Sequence, residues 1–251
     1  PTGLVDAALG LLHTGQIYDD DLTDARVFYH YPPYGDKLPT KRDENDIASV
    51  KEACRLGLPV FIVITNDESK SLRDLRLGIV REWNDDLRIF IIDFSDDWLP
   101  DEGELGGNEI YESPFDEPEG DPTDRKKRNK KQTEQTARDN TEFRLRILGA
   151  YGKQCAMCDI DIVELIEAAH LIAVQRDGSD HSKNGIPLCR NHHKAMDSGL
   201  VAVHPQTFEI HTKTKTFEEL VITKRDISHL KSQPDPKCLE DVWVKQFEEK
   251  I

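Results

Sequence analysis

The stretch that decides the fold is EAAHLIAVQRDGSDHSKNGIPLCRNHHKAMDSGLV, residues 167–201. It opens with a β-prone run ending at a histidine, passes through a glycine-containing loop and continues into a helix-like segment with two adjacent histidines. Just before it, CAMC at 155–158 sets two cysteines two residues apart, and CRNH at 189–192 repeats that gap. This order predicts a small unit of strand, second strand-like run and helix, held together by a metal.

The two pairs supply a complete set of soft and borderline ligands. Structural zinc sites use four Cys or His ligands, often arranged as two such pairs. We therefore predict a structural Zn²⁺ site with no vertex left for water. The alternative is three buried thiols beside a surface histidine. The four predicted ligands are Cys155, Cys158, Cys189 and His192.

A second group of polar residues remains around this unit. His193 and Asp197 lie four positions apart, so on a helix they share one face and can hold a divalent cation with open coordination positions. His170 is then available as a base, and Asn184 can fix the loop that presents it. An imidazole base beside one cation suits phosphodiester hydrolysis.

The order AAH, NGI-LC and HH-A-D-GL resembles the HNH endonuclease family, and RLRILGAYGKQCAMC before it is similar to the usual lead-in. The resemblance covers roughly 135–212 and implies a ββα-metal fold that cleaves DNA with Mg²⁺ or Mn²⁺. It implies that His170 is the general base, that Asn184 braces the loop and that His193 binds the catalytic metal. In some relatives the position of Asp197 provides a further ligand.

One position departs from the family pattern. Many members carry an acidic residue or a histidine directly before the base, where it binds the metal, and this chain has Ala169. Glu167, two residues earlier on the same strand face, is expected to substitute, or water fills the vertex. Ala169 also supports an alternative, a zinc-containing DNA-binding protein without cleavage.

The charge distribution is uneven along the 251 residues. The net charge of −15, taken over the whole chain, argues against binding to nucleic acid. The charges are segregated, however, because an acidic stretch at 101–124 is followed by the basic run RKKRNKK at 125–131. We predict DNA contacts from this basic run and from the following helix. The predicted DNA-binding residues are Arg125, Lys126, Lys127, Arg128, Lys130, Lys131 and Arg144.

The length, the strand and helix patterns and the resemblance predict an α+β protein of two domains, and the missing signal-peptide pattern favours the cytoplasm. We predict a small β-barrel-like α+β recognition domain at 1–100, a linker at 101–131 and the HNH domain with its structural zinc at 132–251. No apolar run reaches the roughly 18 residues that span a bilayer, and the first residues lack the pattern of a signal peptide. The five cysteines do not form a disulfide framework.

The first domain reads as an aromatic strand, a helix and three further strands. This order is similar to the PUA-superfamily barrels, which include modified-base readers joined to HNH modules in modification-dependent restriction enzymes. The resemblance implies recognition of methylated or hydroxymethylated cytosine, because such a reader flips the base and stacks it between aromatic rings. Core packing is the alternative for the residues that would form this pocket, which are Tyr29, Tyr31, Tyr34 and Trp83.

The expected partner is double-stranded DNA. One HNH site per chain makes one nick, so a double-strand cut requires two subunits or two binding events. The C-terminal helix, with Trp243 and Phe247, is a candidate interface for a homodimer. A mobile-element HNH nuclease without modification dependence is the alternative within the same class.

Overall fold

The structure is a computed structural model, and it describes residues 10–13, 22–23, 25–32, 38–65, 73–95, 111, 113–118, 120–123, 134–176 and 178–248. The chain divides into two compact units, Pro1–Ser113 and Pro114–Ile251. The division falls inside the stretch predicted to be a linker. None of the helices within the described residues combines the length and apolarity that a bilayer crossing requires.

The first unit is built on a five-stranded sheet. Its strands are β1 (Gly10–His13), β2 (Arg26–His30), β3 (Pro59–Thr65), β4 (Arg73–Asn84) and β5 (Ile89–Ser95). They lie in the order β1-β3-β4-β5-β2, with β1 parallel to β3 and the other neighbours antiparallel. The sequence indicated the last four strands but not β1.

This sheet is curled. Its first and last strands in sheet order are β1 and β2, yet the Tyr29 hydroxyl on β2 donates to the Leu12 carbonyl on β1 at 3.3 Å. The apolar side chains that alternate along β3, including Val60 and Ile62, are buried on the inside of the curl. The prediction of an α+β fold is confirmed.

Helix α1 (Lys41–Arg55) covers this core with Val50 and Ala53. It begins at a capping box in which the Thr40 hydroxyl accepts from the Asp43 amide and the Asp43 carboxylate accepts from the Thr40 amide. Gly57, just beyond its end, has a φ of 63°, a conformation that favours glycine.

The second unit contains α2 (Glu134–Tyr151), β6 (Ile166–His170), β7 (Gly185–Cys189), α3 (Arg190–Asp197), β8 (Val201–Val203), β9 (Ile210–Thr212) and α4 (Pro236–Val242). A π-helical turn, Trp243–Glu248, continues α4. Strands β6 and β7 pair antiparallel, from Ile166 opposite Cys189 to His170 opposite Gly185. Together with α3 they form a contiguous ββα unit. Strands β8 and β9 pair antiparallel as a hairpin after α3.

Helix α2 buries a stripe at i, i+4 and i+8 that consists of Phe143, Ile147 and Tyr151. The acidic segment 114–123, as far as it is described, also belongs to the second unit and bonds to the loop between β6 and β7. There the Ser179 hydroxyl donates to the Pro122 carbonyl at 2.9 Å, and the Ser182 amide donates to Glu117 at 2.9 Å. This segment is therefore tied to the loop that precedes β7.

Candidate metal and nuclease site

The four predicted zinc ligands converge. The ligand atoms of Cys155, Cys158, Cys189 and His192 all lie within 4.8 Å of one another, and the four residues are buried. The cysteine pair at 155–158 lies in the turn after α2, while the second pair straddles the junction of β7 and α3. A metal bound by these donors would join two segments that are distant in sequence.

A hydrogen bond from the second ring nitrogen of His192 to the backbone orients the imidazole toward this site. Its Nε2 lies 2.9 Å from the Leu220 carbonyl, and Nε2–H donates there. This leaves Nδ1 facing the sulfurs, 3.4 Å from Cys155 Sγ and 3.2 Å from Cys189 Sγ. A backbone acceptor on the far nitrogen is the usual way in which a metal-binding imidazole is held.

The thiols also have the electrostatics of a metal site. The hydrogen bond with Cys189 and burial both raise the pKa of Cys155, and burial raises the pKa of Cys158. The pKa of Cys189 is instead lowered to about 3, first by its hydrogen bond with Cys155, so the cluster without a metal favours one thiolate, and a divalent cation at the centre would stabilise the other two. The donor set fits a tetrahedral metal.

His170 ends β6 and is fixed on two sides. Its ring stacks on Phe143 of α2, with centroids 3.6 Å apart and planes inclined by 12°. Its Nε2 lies 3.1 Å from the Asp180 Oδ1, and these two side chains are only 17% and 10% exposed. The imidazole is therefore confined both in its plane and at one edge.

Asn184 is buried and braces the loop that follows His170. Its Oδ1 accepts from the Ile172 amide at 2.9 Å, while Nδ2 donates to the Ile172 and Ser179 carbonyls at 3.0 and 2.8 Å. These three bonds close the loop on itself.

His193 lies on α3 between two carboxylates. Nδ1 is 2.8 Å from Glu167 Oε2, and Nε2 is 3.9 Å from Asp197 Oδ2. The two acids thus face opposite nitrogens of one ring. Glu167 is also 3.5 Å from Arg190.

Two separate groups result from these contacts. One contains His170 and Asp180, and the other contains His193, Glu167 and Asp197. Glu167 and His170 are three positions apart on β6, which at about 3.3 Å per residue places their Cα atoms roughly 10 Å apart.

Only one of the predicted DNA-binding residues lies within the described part of the structure. The six cations of the run 125–131 lie outside the described residues. Arg144 of α2 donates to the Val163 carbonyl at 2.7 Å and to the Ile166 carbonyl at 3.1 Å. Through these bonds Arg144 stabilises the backbone at the start of β6.

The aromatic residues proposed as a base pocket differ in placement. Tyr29 and Tyr31 are buried within the core of the first unit. Tyr31 donates to Asp85 at 3.0 Å, and burial together with this bond raises the pKa of its hydroxyl. Trp83 is half-buried beside the cations of Lys51 and Arg55, and Tyr34 lies outside the described residues.

Sequence reasoning missed two residues of this site. Asp180 lies in a polar loop that gives no local signal of a buried carboxylate, and Phe143 belongs to a helix outside the motif. The i, i+4 stripe on α2 marks Phe143 as core, but nothing in that stripe assigns it to His170.

Comparison with known proteins assigns a family to the ββα unit and its four-donor metal cluster. Residues 155–204 match the family described as HNH endonuclease. The second unit thus carries an HNH endonuclease domain.

A solved structure described as a modification-dependent TagI restriction endonuclease superposes with a TM-score of 0.37 and 14% identity, over 97% of this chain and 84% of that one. No curated protein matches the chain significantly.

Proposed function

We propose that the protein hydrolyses phosphodiester bonds of double-stranded DNA at the HNH site, with His170 as general base. The observation that carries the proposal is the confinement of this imidazole by Phe143 and Asp180 at the end of β6. A base held in one orientation before the substrate arrives loses little entropy in the reaction.

The proposed reaction is a simple hydrolysis. His170 takes a proton from water, whose oxygen forms a bond to phosphorus while the bond from phosphorus to the leaving oxygen breaks. The leaving oxygen takes a proton from solvent. Asn184 keeps the loop after His170 closed through its bonds to Ile172 and Ser179.

We assign His193 Nε2 and Asp197 to a catalytic divalent cation. Their separation of 3.9 Å exceeds a hydrogen bond and suits two ligands of one ion. These residues would hold Mg²⁺ or Mn²⁺, which would supply stabilisation of the charge on the phosphate and on the leaving oxygen. Glu167, at 2.8 Å from Nδ1, then orients the ring instead of binding the metal.

For the four-donor cluster we propose zinc. Three thiolates and one imidazole in a closed tetrahedral set are the ligands of structural Zn²⁺, and they disfavour Mg²⁺ and Ca²⁺, which prefer oxygen.

We assign DNA recognition to the first unit and to the basic run 125–131. The run carries six cations in seven residues, enough to contribute strong phosphate binding. The first unit is a separate α+β fold, which suits a reader of methylated or hydroxymethylated cytosine of the PUA-like kind. The burial of Tyr29 and Tyr31 leaves Trp83 as the described aromatic residue best placed to contact a base. Because its substrate is DNA, we place the enzyme in the cytoplasm as a restriction-type nuclease.

Plasmid cleavage with Mg²⁺, Mn²⁺ or EDTA tests the proposal, using unmodified DNA beside DNA with methylated or hydroxymethylated cytosine. We expect metal-dependent cutting of the modified DNA, which His170→Ala abolishes without loss of DNA binding. Equal cutting of all DNA would retain the nuclease and reject modification dependence. DNA binding without cutting under any metal would favour the non-cleaving alternative that Ala169 suggests. Nicked product alone would indicate one active site per binding event, while linear product would favour a pair of subunits.

A further inference from the structure

We infer that Asp180 is a positioning residue for the nuclease reaction, which fixes the tautomer of His170 so that Nδ1 is the nitrogen that takes the proton. This inference rests on the proposed role of His170. Neither the motif nor its spacing assigns a function to Asp180.

The first support is the contact itself. Asp180 Oδ1 and His170 Nε2 are 3.1 Å apart, and the exposed fractions of both side chains are small. A carboxylate only accepts hydrogen bonds, so a neutral imidazole in this pair carries its proton on Nε2 and donates it to Asp180. Its Nδ1 then bears the lone pair, and no described residue pairs with that nitrogen.

The second support is the fixed plane of the ring. Phe143 is buried and stacks on His170 at 3.6 Å. Room for Phe143 comes from Gly185, the residue opposite His170 in the β6–β7 pair, because a Cβ there would lie 2.5 Å from Phe143 Cζ. Phe143 therefore fixes the face of the imidazole while Asp180 fixes its edge.

The third support is the rigidity of the loop that carries Asp180. The Ser179 carbonyl before it accepts from Asn184 at 2.8 Å, and the Asp180 carbonyl accepts from Arg146 at 3.3 Å. The Ser179 hydroxyl is tied to Pro122 at 2.9 Å. The backbone that carries the Asp180 side chain is consequently held by bonds that do not involve His170.

The chemistry follows from these positions. When Nδ1 takes the proton from water, the imidazole becomes a cation, and the adjacent Asp180 carboxylate stabilises that cation without itself accepting the proton. Asp180 does not contact the DNA or the water in this scheme. It acts only through His170.

The test compares Asp180→Asn and Asp180→Ala with Asp161→Asn, which alters an exposed carboxylate of the same unit. We expect Asp180→Ala to lower kcat for DNA cleavage by about 10–100-fold, the range for residues that orient a functional imidazole, with KM and DNA affinity within about twofold of the parent. Asp180→Asn presents an amide that can donate to Nε2 as well as accept from it, so it also releases the tautomer and should lower kcat by at least as much. Asp161→Asn should behave as the parent.

A spectroscopic measurement makes the test independent of activity. The ¹⁵N shifts of the His170 ring, assigned by their absence from His170→Ala, should report the Nε2–H tautomer in the parent and a mixture in Asp180→Ala. An unchanged kcat in both Asp180 variants would overturn the inference, as would a fall in kcat accompanied by an equal loss of DNA affinity and an unchanged tautomer. If the parent does not cleave DNA, the proposed function fails, whereas the tautomer still tests the pairing of Asp180 with His170.

Discussion

His192 and His193 are neighbours in sequence and serve different sites. His192 Nδ1 lies 3.2 Å from Cys189 Sγ, while His193 Nδ1 lies 2.8 Å from Glu167 Oε2. One step along a helix turns the side chain by about 100°, which is enough to separate the two sites. Helix α3 therefore connects the metal cluster that holds the fold to the residues proposed for catalysis.

Removal of one cluster ligand should release the structural metal. We expect Cys158→Ser to lower the zinc content from about one ion per chain and to lower Tm, because binding of a structural metal contributes directly to folding. Elemental analysis and thermal unfolding measure both. Cys54→Ser, in the first unit, is the matched control and should keep its zinc. Unchanged zinc in Cys158→Ser would count against this ligand set.

Substitution of His192 and substitution of His193 should have different effects on zinc content and on cleavage. His193→Ala should retain zinc and fold but lower metal-dependent cleavage by at least about 10–100-fold, since it removes a group from the catalytic cation site. His192→Ala should lose zinc and destabilise the domain. Zinc content and cleavage rate measured on both variants provide the comparison. Loss of zinc in His193→Ala would contradict the division between sites.

Asn184→Ala removes three buried hydrogen bonds of the loop. At about 1 kcal/mol for each bond, we expect a loss of about 2–4 kcal/mol of unfolding free energy, together with faster hydrogen exchange at the Ile172 amide. Asn184→Asp, which keeps the acceptor for that amide but loses both donors, should protect Ile172 better than Asn184→Ala. Equal exchange in parent and Asn184→Ala would show that the brace is unimportant.

Two glycines of the second unit should respond in opposite directions. A Cβ on Gly178 would lie 1.8 Å from the Ile172 carbonyl oxygen, so Gly178→Ala must displace the loop and should cost more than about 2 kcal/mol. Gly149 is in α2 with nothing within 4 Å of such a Cβ. Gly149→Ala should therefore stabilise the protein by about 0.5–1 kcal/mol. Urea unfolding followed by circular dichroism distinguishes them, and similar midpoints would contradict the prediction.

Arg144 and the basic run should differ in their dependence on salt. Because Arg144 donates to two backbone carbonyls, Arg144→Gln should lower Tm and leave the slope of log K against log salt for DNA binding unchanged. Lys126→Gln should lower that slope by about 0.9 and leave Tm unchanged, if Lys126 contacts one phosphate. A reduced slope in Arg144→Gln would instead make Arg144 a DNA contact.

The sequence predicted the parts of the fold that depend on local patterns. The two-residue gaps in CAMC and CRNH located the metal cluster, and the β-prone apolar runs at 58–66 and 87–94 located β3 and β5. Strand β1 was missed because its four residues are too few for a periodic signal and it is placed by parallel pairing with a distant strand.

The details of the candidate site depend on contacts between distant segments. Asp180 reaches His170 only because Asn184 closes the intervening loop, and no spacing rule encodes that closure. The placement of Tyr29 and Tyr31 was also not predictable from the sequence. Aromatic residues in and just after a strand suit a pocket or a core equally well, and only the curl of the sheet places these two in the core.

The stacking of Phe143 on His170 has a consequence for engineering. The family match begins at residue 155, yet the ring that supports the proposed base comes from α2, before that point. A fragment cut at the motif boundary would keep every signature residue and leave one face of His170 bare. A transplantable cutting module must therefore start no later than α2, and chimaeras joined at residue 155 should retain the metal and cleave poorly.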